Sequence, residues 1–322
     1  MVTILIHRDG KTSRAGAVDP AWIEEGAGVT VWVDVGAPSA EDGLLLRDVF
    51  GFHELSVEDA LSEIHHPKVE TYDGYLYVIL HGIDFKASEH EFATHDADFF
   101  VGPNYLVTVT DGTSRSIPET RETCERNPRV MAEGPAALAH RIIDTMVDHY
   151  RPEVDKLEER IDELETVVFE SGETRATSQE ILDLKRDVAS LRRIILPQRD
   201  VLGRLARREF PQITEDLAYR FRDVHDHVVR LADDAMLYHD RLAAILEAHL
   251  SNVSNRLNEV MKFLTIFSVI FLPMTVLTGL YGMNVPLFHF PGGEHVQFFW
   301  ILGIMAGMSA LLIGLFRRSR WF

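Results

Sequence analysis

Two uncharged apolar runs near the C-terminal end constrain this chain more than any other feature. Residues 263–280 read FLTIFSVIFLPMTVLTGL and residues 296–316 read VQFFWILGIMAGMSALLIGLF. Each approaches the ~20 residues that an α-helix needs to cross ~30 Å of hydrocarbon. Peptide groups find no water there, so both runs are expected to be helices. Pro273 lies inside the first, where a membrane helix tolerates it. Arg256 and Lys262 precede the first run, Arg317, Arg318 and Arg320 follow the second, and residues 281–295 contain no Lys or Arg. The positive-inside rule then predicts a multi-pass protein of the plasma (inner) membrane with both termini cytoplasmic and a short outer loop. Trp300, Trp321 and Phe322 are expected at the lipid–water boundaries.

The remainder reads as an acidic soluble part. The chain of 322 residues has a formal net charge of -18, which excludes a nucleic-acid backbone as partner and suits cations. Cys124 is the single cysteine, so no intramolecular disulfide forms, in keeping with a reducing compartment. No Gly-rich phosphate loop and no nucleophile–base constellation is visible, so neither an enzyme nor an ATP-driven pump is expected. The histidines, His65 and His66 among them, lack metal-ligand spacing.

Residues 1–134 are expected to form an α+β domain with a mixed or antiparallel sheet. Strand-like runs cover residues 3–7, 30–35, 72–80 and 96–109, the last broken by a turn at Gly102-Pro103-Asn104. Residues 40–49 and 56–62 read as short helices, with Ser56 as the cap of the second. Residues 135–210 are expected to form a helical hairpin. Val154, Leu157, Ile161, Leu164 and Val168 keep 3,4,3,4 spacing, and so do Ile181, Leu184, Val188, Leu191 and Ile195. Thr177 and Glu180 make a capping-box candidate. From 211 to 262 a stalk helix continues without a break into the first span. A helix over 213–280 is about 100 Å long, too long to be buried in one small domain. Residues 281–295 form the outer loop, 296–316 the second span and 317–322 a basic tail.

The first span ends in Tyr281-Gly282-Met283-Asn284. Gly-Met-Asn at this place, before a short outer loop, a second span and a basic tail, resembles the CorA family of divalent-cation transporters. The resemblance extends through residues 254–262, 221–227, 57–60 and 66–70. It implies a homopentameric funnel: an α+β cytoplasmic domain, a very long stalk helix and two C-terminal transmembrane helices, the first lining a pore and the second facing lipid.

The resemblance also implies roles. Gly282, Met283 and Asn284 form the pore mouth, where five amide side chains would bond a hydrated ion without stripping it. Asn258, Met261, Leu264, Leu272 and Thr275 match the pore-facing positions, the apolar ones as gates. Asp59 with Asp223, and Glu58 with Asp144, match regulatory Mg2+ sites between subunits. Glu294 stands where the family often has a cation-attracting acid, although this loop reads Phe290-Pro291-Gly292-Gly293-Glu294-His295 in place of the Met-Pro-Glu-Leu segment of many members. The implied function is a channel for Mg2+, with Co2+ and Ni2+, closed by internal Mg2+. Two readings stay open beside it: a Zn2+ transporter of the same fold, favoured by His289 and His295, and a membrane-anchored metal sensor that transports nothing.

Overall fold

A computed structural model describes the chain except residues 25, 63–65, 87–90, 171–174, 284–293 and 319–322, and except the side chains of residues 91, 170, 175, 176, 294 and 295. The chain divides into two units, Met1–Leu246 and Glu247–Phe322.

Unit 1 is built on one seven-stranded sheet. Its strands are β1 (Val2–Arg8), β2 (Lys11–Ala15), β3 (Thr30–Gly36), β4 (Lys68–Tyr72), β5 (Tyr75–Lys86), β6 (Glu91–Val101) and β7 (Tyr105–Thr110). The spatial order is β2-β1-β3-β7-β6-β5-β4. β3 and β7 are parallel, in register Val31↔Tyr105 to Gly36↔Thr110, and every other pair is antiparallel. The expected mixed sheet is therefore present, with one difference in the 72–80 run. Gly74, at φ 85, turns the chain after Tyr72 and converts that run into a β4–β5 hairpin. Glycine reaches this φ without the clash that a Cβ brings.

Side chains alternate across a strand, so one face of the sheet carries Ile4, Val31, Val33, Val35, Tyr77, Ile79, Phe100, Val107 and Val109. They bury Leu46, Phe50, Phe52, Val57 and Ala60, which come from the π-helical turn (Leu45–Val49) that continues α1 (Ala40–Leu44), from its C-terminal flank and from α2 (Glu54–Leu61). The cap of α2 is His53 and not Ser56. His53 Nδ1 accepts from Leu55 N at 3.2 Å, while buried Ser56 donates its hydroxyl to His53 O at 2.9 Å. A histidine ring nitrogen thus does what a serine oxygen was expected to do.

Helices follow from Ser116 onward: α3 (Ser116–Arg126), α4 (Arg129–Ala132), α5 (Pro135–Asp148), α6 (Tyr150–Glu170), α7 (Arg175–Ala206) and α8 (Glu215–Tyr281). The two stripes spaced 3,4,3,4 on α6 and α7 are buried throughout. Thr177 lies inside α7, not at its cap, because the helix begins two residues earlier. Leu231, Ala235, Tyr238, Leu242 and Ile245 of α8 are buried too. Arg151 pairs with Asp234 at 2.8 Å, and Arg241 pairs with Asp162 and Glu165 at 2.5 and 2.6 Å, so α6 runs parallel to α8. α7 is pinned to the sheet by Gln198, whose Oε1 accepts from His81 N at 3.1 Å and from the Tyr150 hydroxyl at 2.7 Å.

One buried carboxyl in this unit is out of its usual range. Asp98 on β6 is 4 % exposed and accepts a 2.5 Å hydrogen bond from the Tyr77 hydroxyl. Burial pushes its pKa up to about 7, with the charges of Asp96 and Asp59 adding to the effect and the Tyr77 bond and Lys68 opposing it. A carboxyl with a raised folded-state pKa holds its proton in the folded state after the unfolded chain has released it. Its contribution to stability is full below the unfolded pKa near 4 and is lost as pH rises toward 7. Asp98→Asn keeps the Tyr77 acceptor and removes the titration. We expect the Tm of the full-length variant, minus that of the wild type, to grow as pH is raised from 5 to 8. Thermal melts in detergent across that range measure it, and a constant difference would contradict the assignment.

Candidate functional site

Unit 2 holds the end of α8 and α9 (Glu294–Arg318). Both are long and apolar enough to cross a membrane. The less exposed positions of α8 here include Lys262, Ile266, Ile270, Met274, Leu277 and Tyr281. Their spacing of three or four residues makes one stripe, and Met274 Sδ in that stripe lies 4.0 Å from Ser309 Oγ of α9. This is the face that α9 takes.

The candidate pore positions lie elsewhere. Asn258, Met261, Leu264, Leu272 and Thr275 are all exposed. At about 100° of rotation per residue they cluster on the face of α8 opposite the Met274 stripe. Met261, Leu264 and Leu272 are 58, 56 and 65 % exposed. The Thr275 hydroxyl donates to Phe271 O at 2.9 Å, which settles its proton inside the helix and leaves its oxygen lone pairs outward. Asn258 supplies an amide one turn below Met261.

At the far end Gly282 N donates to Thr278 O at 2.9 Å and Met283 N to Leu280 O at 3.3 Å, closing α8. A Cβ on Gly282 would stand 3.1 Å from Thr278 O, closer than side chains ordinarily come to a carbonyl, which accounts for the glycine. Asn284 and His289 lie outside the described residues. Glu294 opens α9, and its side chain and that of His295 lie outside them as well.

The candidate regulatory residues fall in two places in unit 1. Asp59, on α2, receives Lys68 Nζ at 2.6 Å, and Lys68 also reaches Glu70 at 3.0 Å. Burial alone would depress the Lys68 ammonium, but the hydrogen bonds to Asp59 and Glu70 outweigh it and raise its pKa. Glu58 is exposed beside it. Asp144 of α5 and Asp223 of α8 meet instead on the α5–α8 face. The Asp144 carboxyl titrates above the ordinary range, first through burial and then through the like charges of Asp148 and Asp223, against the opposing pull of His140 and His227. His227 Nδ1 lies 3.9 Å from Asp148 Oδ1. His140, Asp148 and His227 are the residues missed in the sequence. The signal was present as i,i+4 spacing, 140–144–148 on one helix and 223–227 on the other, which stacks side chains on one face. Among the described residues no three His, Cys, Asp or Glu side chains are arranged to hold a metal ion.

Comparison with known proteins decides the family. Residues 27–318 match the family described as CorA-like Mg2+ transporter protein. The chain belongs to the CorA family. CorA proteins are metal-ion transporters and not enzymes, as expected, and this one is a membrane protein with two C-terminal spans. The chain is 34% identical over 295 residues to the Bacillus subtilis (strain 168) protein named "Putative metal ion transporter YfjQ", covering 90% of this chain and 89% of that one. It is 32% identical over 278 residues to the cobalt/magnesium transport protein CorA of Thermotoga maritima, covering 85% and 78%. The complete CorA magnesium transporter structure from Methanocaldococcus jannaschii superposes with a TM-score of 0.86 at 22% identity, over 100% of this chain and 99% of that one. The expected CorA architecture, an α+β domain, a long helix and two terminal apolar helices, is thus the observed one.

Burial first, and the like charges of Asp148 and Asp223 after it, make Asp144 cost stability while ionised. In metal-free buffer at pH 8 we expect Asp144→Asn to melt a few degrees above the wild type, with the gap closing as pH falls and the wild-type carboxyl takes up its proton. Differential scanning fluorimetry in chelator checks it; a variant that melts lower at pH 8 would contradict the cost assigned to the ionised carboxyl.

Proposed function

We propose that this CorA-family chain forms a homopentameric channel that conducts Mg2+ across the membrane, with Co2+ and Ni2+ as further cargo, and that internal Mg2+ bound between subunits closes it. The observation that carries the reading is the bare face of α8. Five sequence positions expected to line a pore all stand exposed, on the face turned away from α9. An apolar gate surface of Met261, Leu264 and Leu272 with a polar station at either end, Asn258 and Thr275, suits a water-filled path better than a lipid boundary. One span cannot enclose a path, so copies must come together around it. Five is the number that the family resemblance implies.

The donors suit the cargo. Mg2+ is small and hard and sheds water reluctantly. Neutral amide and hydroxyl oxygens from Asn284, Thr275 and Asn258 can hydrogen-bond its water shell and let it go. Gly282 and Met283 shape the mouth, and Glu294 adds a negative field outside it. Conduction requires binding that is weak enough to release.

Regulation uses the other chemistry. A divalent cation between Asp223 and the Asp59 of a second copy, and another between Asp144 and the Glu58 of a second copy, lower the repulsion among Asp144, Asp148 and Asp223. A ligand that binds one state better than another shifts the population toward it. High internal Mg2+ then holds subunits together and the gate shut, and low Mg2+ releases it. The segments act in series: the α+β domain of 1–134 and the hairpin of 135–210 sense, the stalk of 211–262 transmits, and the span of 263–280 with its mouth at 281–295 conducts. The span of 296–316 and the basic tail of 317–322 face lipid and cytoplasm.

Flux of Mg2+, Co2+, Ni2+ and Zn2+ into proteoliposomes, with internal Mg2+ varied, tests each part. We expect Mg2+ flux that falls as internal Mg2+ rises. We expect Asn284→Ala to cut it at least about tenfold, the kinetic equivalent of about 1.4 kcal/mol of lost ion contact. Zn2+ flux without Mg2+ flux would replace the cargo. No flux of any of the four ions would leave the sensor reading in its place.

A further inference from the structure

The face of α8 that carries Arg256 has a composition that neither ion conduction nor cation sensing uses. Phe263 and Phe267 follow Arg256 by seven and eleven residues, which puts each ring within about 20° of Arg256, and the two rings about 40° apart, around the helix, on the side that also carries Met274. Phe263 and Phe267 are 64 and 48 % exposed, and their ring centroids are 5.0 Å apart. Phe271 continues the strip at 5.4 Å from Phe267 in a stacked pair. The result is an open aromatic ladder that starts inside the hydrocarbon and ends, about 10 Å before Phe263, at an exposed guanidinium.

The boundary where the ladder ends is cationic from both helices. Arg317 and Arg318 close α9, and both are exposed. Measured from the Met274–Ser309 contact, Lys262 is about 18 Å along α8 and Arg317 about 12 Å along α9. Two antiparallel spans thus bring Lys262 and Arg317 to within about 6 Å of one level, with Arg256 about 9 Å beyond Lys262 on the same side. Between Glu247 and Glu294 the only carboxylate is Glu259. Among the described residues none of Arg256, Lys262, Arg317 and Arg318 has a carboxylate within ion-pair distance, whereas Arg151, Arg160 and Arg241 in unit 1 are all paired. A rule about membrane orientation explains why these cations sit at this end of the spans. It does not explain why they stand unpaired next to an exposed aromatic ladder.

We propose that this boundary binds an anionic phospholipid, the headgroup phosphate on Arg256 with Lys262 and Arg317 contributing to its field, and an acyl chain along Phe263, Phe267 and Phe271. A phosphate diester accepts charge-assisted hydrogen bonds from a guanidinium fork. Each basic residue near a membrane surface adds roughly a fivefold preference for an acidic lipid. Aromatic rings supply a rigid apolar wall to the chain above. Glu259 lies on the helix between Arg256 and Lys262 and opposes the headgroup.

The test uses the full-length protein in detergent, titrated with phosphatidylglycerol or phosphatidylcholine of the same chains and read by native mass spectrometry. We expect phosphatidylglycerol adducts at least fivefold more abundant than phosphatidylcholine adducts at equal lipid. Arg256→Gln together with Arg317→Gln should bring that ratio close to one, and Glu259→Gln should raise it. The gain in the last variant is not something a damaged fold would produce, and the oligomer mass in the same spectrum reports assembly. Glycerol 3-phosphate, which has the phosphate without the chains, should not displace the lipid at tenfold excess. Equal adducts for the two lipids would overturn the proposal. So would a preference that survives the double variant, or full displacement by glycerol 3-phosphate, which would make the ligand a free phosphate.

Discussion

A peptide group in hydrocarbon has no partner but another peptide group, so each span is a helix and each helix must divide its faces among lipid, its neighbour and, where copies meet, the space between them. The two spans divide them differently. α9 carries one hydroxyl, Ser309, and hides it twice over, donating to Met305 O at 2.8 Å and facing Met274. Nothing polar remains on its outer surface between Trp300 and Phe316. α8 commits one face to α9 and leaves on the opposite face an amide, a threonine and three large flexible apolar side chains, all exposed. A lipid-facing helix does not need Asn258. A helix that borders water at one end of a narrow apolar stretch, as in the proposed channel, does.

In unit 1 the organising force is charge. The α5–α8 face stacks His140, Asp144 and Asp148 against Asp223 and His227, and the net effect on Asp144 is an upward shift. Burial and like charge therefore outweigh the nearby imidazoles. Asp59 is in a different situation, already paired with a lysine that shares itself with Glu70. A cation arriving at Asp144 and Asp223 relieves repulsion, whereas one arriving at Asp59 competes with Lys68. If both carboxylates join in one inter-subunit site, as proposed, its affinity is the sum of a gain and a loss. That suits a sensor set to release its ion when the free concentration falls.

The long helices and their buried stripes were legible because 3.6-residue periodicity survives in sequence without any tertiary information. Leu157, Ile161, Leu184 and Val188 announce themselves by spacing alone. The membrane spans were legible for a still simpler reason, since hydrocarbon thickness fixes their length. What escaped depends on partners distant in the chain or on chemistry that several residue types share. β2, with the polar sequence Lys-Thr-Ser-Arg-Ala, is a strand because β1 offers it an edge, and no periodic apolar signal marks it. His53 caps α2 through a ring nitrogen, a role that composition assigns to serine first. Of the candidate site, the candidate pore positions, Asp144 and Asp223 could all be read only from resemblance, helical phase adding that the former share one face. Their meeting, and the part of Asp148, His140 and His227 in it, required the packing of α5 on α8.

The contrast between the two candidate ion stations follows from what each has to do. A carboxylate and a divalent cation attract with roughly twice the energy of two single charges at the same distance, and a partly buried setting weakens that attraction far less than water does. Such a site holds its ion long enough to stabilise one arrangement of subunits, and on a conduction path it would hold the ion too long. Amide and hydroxyl oxygens offer dipoles in place of charges, and they meet the ion's water shell and not the bare ion. The chain keeps the two chemistries apart. Among its candidate ligands, all those on the described part of the candidate pore face of α8 are neutral, and all those in unit 1 are acidic. A carboxylate moved from Asp223 to the position of Asn258 would therefore do more than add a ligand. It would place the strong site where the weak one has to be, and the ion would enter and stay.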